Sequence, residues 1–190
     1  MLVRNKVGDT MHLIVAGAAR SGKTTLSLKL NEYGFTHYKM DSIKRGICEA
    51  YKLTYDDWEE VSPIMCTIIN RIILDNKTDC NLGIEKYLFD TPFIYPKDIS
   101  KIDLSDTKVI FLGYSHVTPE EELKNVRSRE KENIWTTKIS DEDLLKLIEE
   151  DIDFSKYLES ECKRLGIAYY DMSYDREKML NKIINDIIGE

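Results

Sequence analysis

The chain reads as an α/β protein, a parallel sheet with helices on both faces, and three observations predict it. Residues Gly17-Ala18-Ala19-Arg20-Ser21-Gly22-Lys23-Thr24 match the pattern G-x-x-x-x-G-K-[ST] at every fixed position. This octapeptide lies between a short apolar run, His12 to Ala16, and a segment of helical spacing, Thr25 to Leu30, which is the strand-to-helix context the pattern requires. Downstream, four more short apolar segments alternate with helical stretches, as in a sheet whose crossovers are helices. With 190 residues, 42% of them hydrophobic and 32% charged, the chain has the size and composition of one such domain, expected to span residues 1–190.

The elements follow in order. The first strand, His12 to Ala16, is apolar throughout and suits a buried parallel strand. Gly34 ends the first helix, and Phe35 to Met40 forms a second strand. Asp41-Ser42 stands where a helix from Ile43 to Lys52 would take its N-cap. From Asp56 to Asp75, Val61, Met65, Ile68, Ile69, Ile72 and Ile73 give a broad apolar helical face, and Asn76 to Gly83 is turn-like. Tyr87 to Asp90 is a third strand and Lys108 to Leu112 a fourth. A helix from Pro119 to Ser128 precedes a polar, basic segment reaching Ser140. Asp141 then caps a long acidic helix that ends at Gly166. Ile167 to Asp171 makes a fifth strand before a last helix from Asp175.

The octapeptide predicts a phosphate cradle. Glycines at 17 and 22 let the backbone approach a polyphosphate closely, and the first N–H groups of the helix, with its dipole, point at the anion. The nucleotide-binding set is therefore Gly17, Ala18, Ala19, Arg20, Ser21, Gly22, Lys23, Thr24 and Thr25. Lys23 supplies a mobile positive charge for the outer phosphates, and the Thr24 hydroxyl a ligand for Mg²⁺. Arg20 either reaches the terminal phosphate or a substrate, or stands solvated on the loop's shoulder.

Ligands of parallel sheets bind at the carboxyl ends of the strands, so the residues ending strands two and three are predicted to converge with the loop on one cleft. Asp90 ends the third strand and either holds Mg²⁺ or caps the turn before Pro92. Asp41 either accepts the proton of a substrate hydroxyl as a general base or only caps the next helix. Lys44 and Arg45 either meet an anionic acceptor or form a solvated face. Arg127 and Arg129, past the fourth strand, suit a flap carrying positive charge over a transferring phosphate. Arg71 is either buried at a phosphate or snorkels from the helix edge. Trp58 and Trp135 either line a pocket or pack, and His12, His37 and His116 show no metal-ligand spacing. Asn76-Lys77-Thr78-Asp79 spells the guanine-reading N-K-x-D, but it precedes the third strand and no D-x-x-G lies between Thr24 and Asn76, so it is set aside.

Composition limits the partners. Lys plus Arg number 27 against 34 Asp plus Glu, a net charge of −7, which argues against a protein that coats nucleic acid and leaves at most a strand end as substrate. The cysteines at 48, 66, 80 and 162 form no C-x-x-C pair, so reduced thiols in a cytoplasmic protein are expected. No apolar stretch approaches membrane-spanning length, and residues 1–10 read as a loose leader.

With these residues in place the chain resembles the P-loop kinases of the nucleoside monophosphate kinase type. It resembles more closely the small-molecule and polynucleotide kinase branch often labelled AAA-type ATP-binding domains. The resemblance spans Met11 to the C-terminus and rests on the GxxxxGKT loop, Asp41, Asp90, an arginine-bearing lid at about residues 125–140 and the last strand and helix. It implies the three-layer P-loop NTPase sandwich with strand order 2-3-1-4-5, ATP as phosphate donor and Mg²⁺ as cofactor. In polynucleotide kinases of this branch an Asp after strand two is the catalytic base, the position of Asp41. The chain departs from adenylate kinases at Asp90-Thr91-Pro92-Phe93, where no arginine stands, and its lid lacks zinc cysteines. The implied function is phosphoryl transfer to a small molecule, nucleotide or nucleic-acid end; a nucleotide-dependent switch acting on a protein partner is the alternative.

Overall fold

The computed structural model describes residues 12–54, 57–78, 86–92, 94–129 and 134–189, with the backbone alone described at 76–78, 134 and 135. Five parallel strands form one sheet in the order β2-β3-β1-β4-β5. They are β1 (His12–Gly17), β2 (Thr36–Lys39), β3 (Tyr87–Thr91), β4 (Thr107–Gly113) and β5 (Ala168–Asp171). The helices are α1 (Lys23–Leu30), α2 (Asp41–Tyr51), α3 (Trp58–Thr78), α4 (Pro119–Ser128), α5 (Asp141–Leu165) and α6 (Arg176–Ile188), with short 3₁₀ turns at Asn31–Tyr33, Pro96–Lys101 and Ile134–Lys138. The strand order reflects composition. β1 and β3 are buried at every residue, as strands covered on both faces must be, whereas β2 and β5, the edges, are partly exposed.

The chain divides into two compact units, one of residues 1–16 and 24–110, the other of residues 17–23 and 111–190. In the first, the register pairs His37 with Leu88 and Lys39 with Asp90 on one side of β3, and Val15 with Asp90 on the other. Helix α3 buries Val61, Met65, Ile69 and Ile73, four residues apart, so one stripe faces the core. Ser62 on the same helix donates to Asp98 at 2.7 Å and accepts from the Tyr95 N–H at 2.8 Å, fixing the turn after β3. In the second unit, Ala18, Tyr114, Val117, Val126, Leu144, Ile148 and Ile152 form one apolar cluster, so the loop after β1 carries a core residue of its own.

Some local expectations need correction. Helix α2 begins at Asp41 itself, with Met40 as N-cap and no side-chain capping bond. The acid therefore sits in the first turn, where it complements the helix dipole without capping it. Ser140, not Asp141, caps α5, its hydroxyl accepting from the Asp143 N–H at 3.2 Å. Residues 76–78, expected in a turn, continue α3, while Asp79 of the N-K-x-D sequence lies outside the described residues, as do residues 1–11, Cys80 and residues 130–133 of the expected lid. Cys48, Cys66 and Cys162 are free and buried, and burial pushes the Cys66 and Cys162 thiols up to about 12, so both stay protonated and inert. Among the described residues no helix is long and apolar enough to cross a membrane.

Gly17 is required by geometry. Its φ is +132°, and a Cβ there would run into the backbone carbonyl oxygen of Leu112, whose position is fixed in β4. Gly17→Ala is expected to lose about 3 kcal/mol of stability or more, from backbone strain and overpacking together. Urea unfolding checks this, and an unchanged midpoint would contradict the tight approach.

Candidate functional site

Residues 18–22 connect β1 to α1: the Ala18 N–H is held by the Leu112 carbonyl at 3.0 Å, and helix begins at Lys23. The Ala19 and Gly22 N–H groups have no hydrogen-bond partner among the described residues, as an anion cradle requires. Lys23 is buried, only 7% exposed, and its Nζ donates to the Ala18 carbonyl at 2.6 Å, so its charge is held inside the loop. Gly22 is at φ +98°, and a Cβ there would stand 3.1 Å from the Arg176 Nε, a tight contact with the guanidinium.

Arg20 fits neither sequence expectation. Its side chain, 3% exposed, is turned into the second unit, where it makes an ion pair with Asp151 and donates to the Leu147 carbonyl. Burial raises the Asp151 carboxyl while the Arg20 guanidinium pulls it back, and burial is the larger effect. Tyr114, buried beside the pair, has its phenol pushed well up by the same desolvation.

In the first unit, one peptide bond on from Lys23, the Thr24 Oγ1 donates to the Asp90 Oδ2 at 2.7 Å. Asp90 is 1% exposed at the end of β3, and the His37 Nε2 lies 3.4 Å from the same Oδ2. Two hard oxygen donors thus stand together, the chemistry Mg²⁺ prefers when phosphates complete its shell. The Met40 N–H donates to the Asp90 carbonyl at 2.9 Å, which carries β2 one residue further and sets Asp41 just beyond the end of β3's neighbour. The Asp41 carboxylate makes no hydrogen bond or ion pair among the described residues. Thr25 is exposed on the first turn of α1.

Arg127 and Arg129, expected on a lid, are both occupied within the second unit. Arg127 donates to Asp141 at 2.6 and 2.9 Å and to the carbonyls of Thr136 and Ile139 at 2.8 Å each. Arg129 pairs with the buried Glu122 at 3.2 Å and donates to the Asn125 carbonyl at 2.9 Å. Burial raises the Glu122 carboxyl, partly offset by Asn125 and Arg129.

Other sequence candidates take structural places. Lys44 is fully buried with its Nζ 5.2 Å from the Trp58 ring centroid, contrary to a solvated face, whereas Arg45 is exposed. Trp58 packs against Tyr95 and Arg71 makes an exposed pair with Asp75, so Arg71 is neither buried nor snorkelling. The Trp135 side chain lies outside the described residues. His12 is buried, accepting from the Tyr87 N–H at 3.2 Å. Sequence reasoning missed Asp151 and Arg176. A signal existed for the first: Leu144, Ile148 and Ile152 mark the buried stripe of α5, and Asp151 adjoins it.

His116, after β4, shares its Nδ1 with Asp171 at 2.5 Å, while Ser115 donates to Glu159 at 2.6 Å. The hydrogen bond and charge of Asp171 raise the His116 imidazole above its ordinary range, with Glu159 adding to this. A histidine whose folded pKa is raised adds stability that is complete below its unfolded value and is lost as pH rises through the folded one. Wild-type protein is therefore expected to lose more stability between about pH 6 and about pH 8 than His116→Gln. Denaturant midpoints across that window check it, and parallel curves would remove His116 from the account.

The described residues contain no group of three or more His, Cys, Asp or Glu side chains placed to hold a metal. In fold the chain is similar to a shikimate kinase from Bacteroides thetaiotaomicron, at 12% identity over 95% of this chain and 99% of that one, TM-score 0.55. It is similar also to a shikimate kinase from Acinetobacter baumannii in complex with shikimate, at 14% identity over 95% and 94%, TM-score 0.54. An uncharacterized protein from Eubacterium ventriosum matches at 14% identity over 95% and 99%, TM-score 0.54. No family model matches the chain, and no curated protein matches its sequence. The likeness is one of fold, an α/β architecture whose five-stranded parallel sheet here runs in the order 2-3-1-4-5.

Proposed function

We propose that this chain, acting as a single kinase-like domain, is an ATP-dependent, Mg²⁺-requiring phosphotransferase. The observation that carries the reading is the Thr24–Asp90 contact at 2.7 Å, one peptide bond beyond a phosphate loop with unpartnered N–H groups. The backbone from Gly17 to Thr25 receives the donor's phosphates, Arg20 contributing through its main chain, and Lys23 exchanges the Ala18 carbonyl for phosphate oxygens. Thr24 and Asp90 would hold Mg²⁺, which when bound neutralises phosphate charge.

Asp41 favours a kinase over an ATPase switch, because its carboxylate has no partner among the described residues and stands past the end of β2. It takes the proton of an acceptor hydroxyl as the acceptor oxygen bonds to the γ phosphorus and the bond from that phosphorus to the ADP oxygen breaks. Arg127 and Arg129 would stabilise the transferring charge after leaving Asp141 and Glu122. The acceptor is a hydroxyl-bearing small molecule, nucleotide or nucleic-acid end.

The test is transfer of the terminal phosphate of labelled ATP to nucleosides, nucleotides, sugars, hydroxy acids such as shikimate, and oligonucleotide ends, with and without Mg²⁺. A labelled acceptor that needs Mg²⁺ supports the kinase. Phosphate release with every acceptor unlabelled would assign the chain to the regulatory ATPases, and no ATP binding would reject both.

A further inference from the structure

We infer that Asp151 and Arg176 are positioning residues of the phosphate loop, acting through Arg20. The inference rests on the loop being the nucleotide site. Arg20 adopts φ +60°, a left-handed conformation that glycine takes freely and a residue with a Cβ takes only uncommonly. Something must hold it there, and two independent tethers do. Its guanidinium is drawn into the buried pair with Asp151 on α5, and its carbonyl accepts a hydrogen bond from the Arg176 guanidinium on α6. One tether fixes the side chain and the other the following peptide plane, so the residue is pinned at both ends.

Each anchor is itself rigid. Helix α5 packs Leu144, Ile148 and Ile152 into the cluster that contains Ala18, so Asp151 is fixed with respect to the loop it holds. Arg176 is the first residue of α6, capped by Asp175, whose side chain accepts from the Lys178 N–H at 3.2 Å. The loop also makes room for it. A Cβ on Gly22 would stand 3.1 Å from the Arg176 Nε, so glycine at 22 serves the brace as well as the phosphate approach. A buried ion pair is a poor source of net stability, because desolvation offsets its attraction, which leaves geometry as the use of this one. Without the tethers the Ala18 to Gly22 turn would relax from left-handed Arg20, and the unpartnered Ala19 and Gly22 N–H groups would lose their common direction.

The experiment measures the affinity of the whole chain for Mg²⁺-ATP and for inorganic triphosphate, with unfolding temperature recorded alongside. Asp151→Asn and Arg176→Gln are each expected to weaken both ligands about tenfold, the order that loss of an outer-shell support costs a metal site. Arg20→Gly, which removes the side-chain tether but suits the left-handed backbone, is expected to stay folded and to weaken both ligands likewise. It carries the test if Asp151→Asn does not fold. The swap Arg20→Asp with Asp151→Arg is expected to recover part of the affinity. A positioning role moves ATP and triphosphate together. Affinities at the wild-type level in Arg20→Gly and Arg176→Gln would overturn the inference, as would a loss confined to ATP, which would place Arg176 on the base. Lys23→Ala separates this from the underlying reading: if it alone loses ATP, the nucleotide site stands and the brace falls, and if wild type binds no ATP both fall.

Discussion

Lys23→Ala is expected to lower ATP-dependent transfer by about 10³-fold or more, with nucleotide affinity falling too, because preorganised charge aimed at a transferring phosphoryl group is the main catalytic device available to this fold. Lys23 begins α1, is 7% exposed, and is held within the loop by the Ala18 carbonyl at 2.6 Å. A charge kept in so dry a place is expensive unless a stronger partner replaces that carbonyl, and a polyphosphate is such a partner. Lys23→Arg should rescue poorly, since a planar fork does not fit where a point charge does. Single-turnover transfer and ATP titration read the effect, with thermal unfolding as control for the fold. Unchanged ATP affinity would remove the nucleotide assignment at its root.

The second large effect is expected at Asp41. Asp41→Asn should slow transfer by about 10²- to 10⁴-fold, the usual worth of a general base, while leaving ATP affinity near wild type. The amide keeps the shape of the carboxylate and removes only its basicity and charge. Because Asp41 neither caps α2 nor pairs with another described residue, the variant should also unfold close to the wild-type temperature. Transfer at the wild-type rate would refute the base role, and a loss of ATP affinity matching the loss of rate would make Asp41 a binding residue.

Much of the proposed site is legible in the sequence because its pattern is written in short range. The loop needs glycine at fixed places and a strand and helix on either side, so Gly17, Gly22, Lys23 and Thr24 declare themselves within eight residues. Asp90 could be placed because it ends an apolar run, and Asp41 because it follows one. Where reading failed, the deciding partner lay far along the chain. Arg20 looks like a loop arginine until Asp151 is brought beside it, 131 residues on, and Lys44 looks solvated until Trp58 covers it. Boundaries failed for a different reason: Asp41 and Ser42 are both good capping residues, and only backbone conformation decided that Met40 takes the cap.

The sequence by itself determined the α/β class, the five strands and the strand-to-helix turn at residues 17–24, since periodicity and turn chemistry are local and survive without a partner. The strand order came with the resemblance and is seen in the sheet. Tertiary structure alone decided which charges are spent on holding the loop. Arg20, Asp151 and Arg176 carry no pattern that distinguishes them from solvated neighbours, because a salt bridge across 131 residues depends on where α5 packs against the loop, and packing depends on the whole core. It also decided that Thr24 meets Asp90, because the register of β3 against β1, set by buried side chains on both faces, brings the end of one strand level with the end of the other.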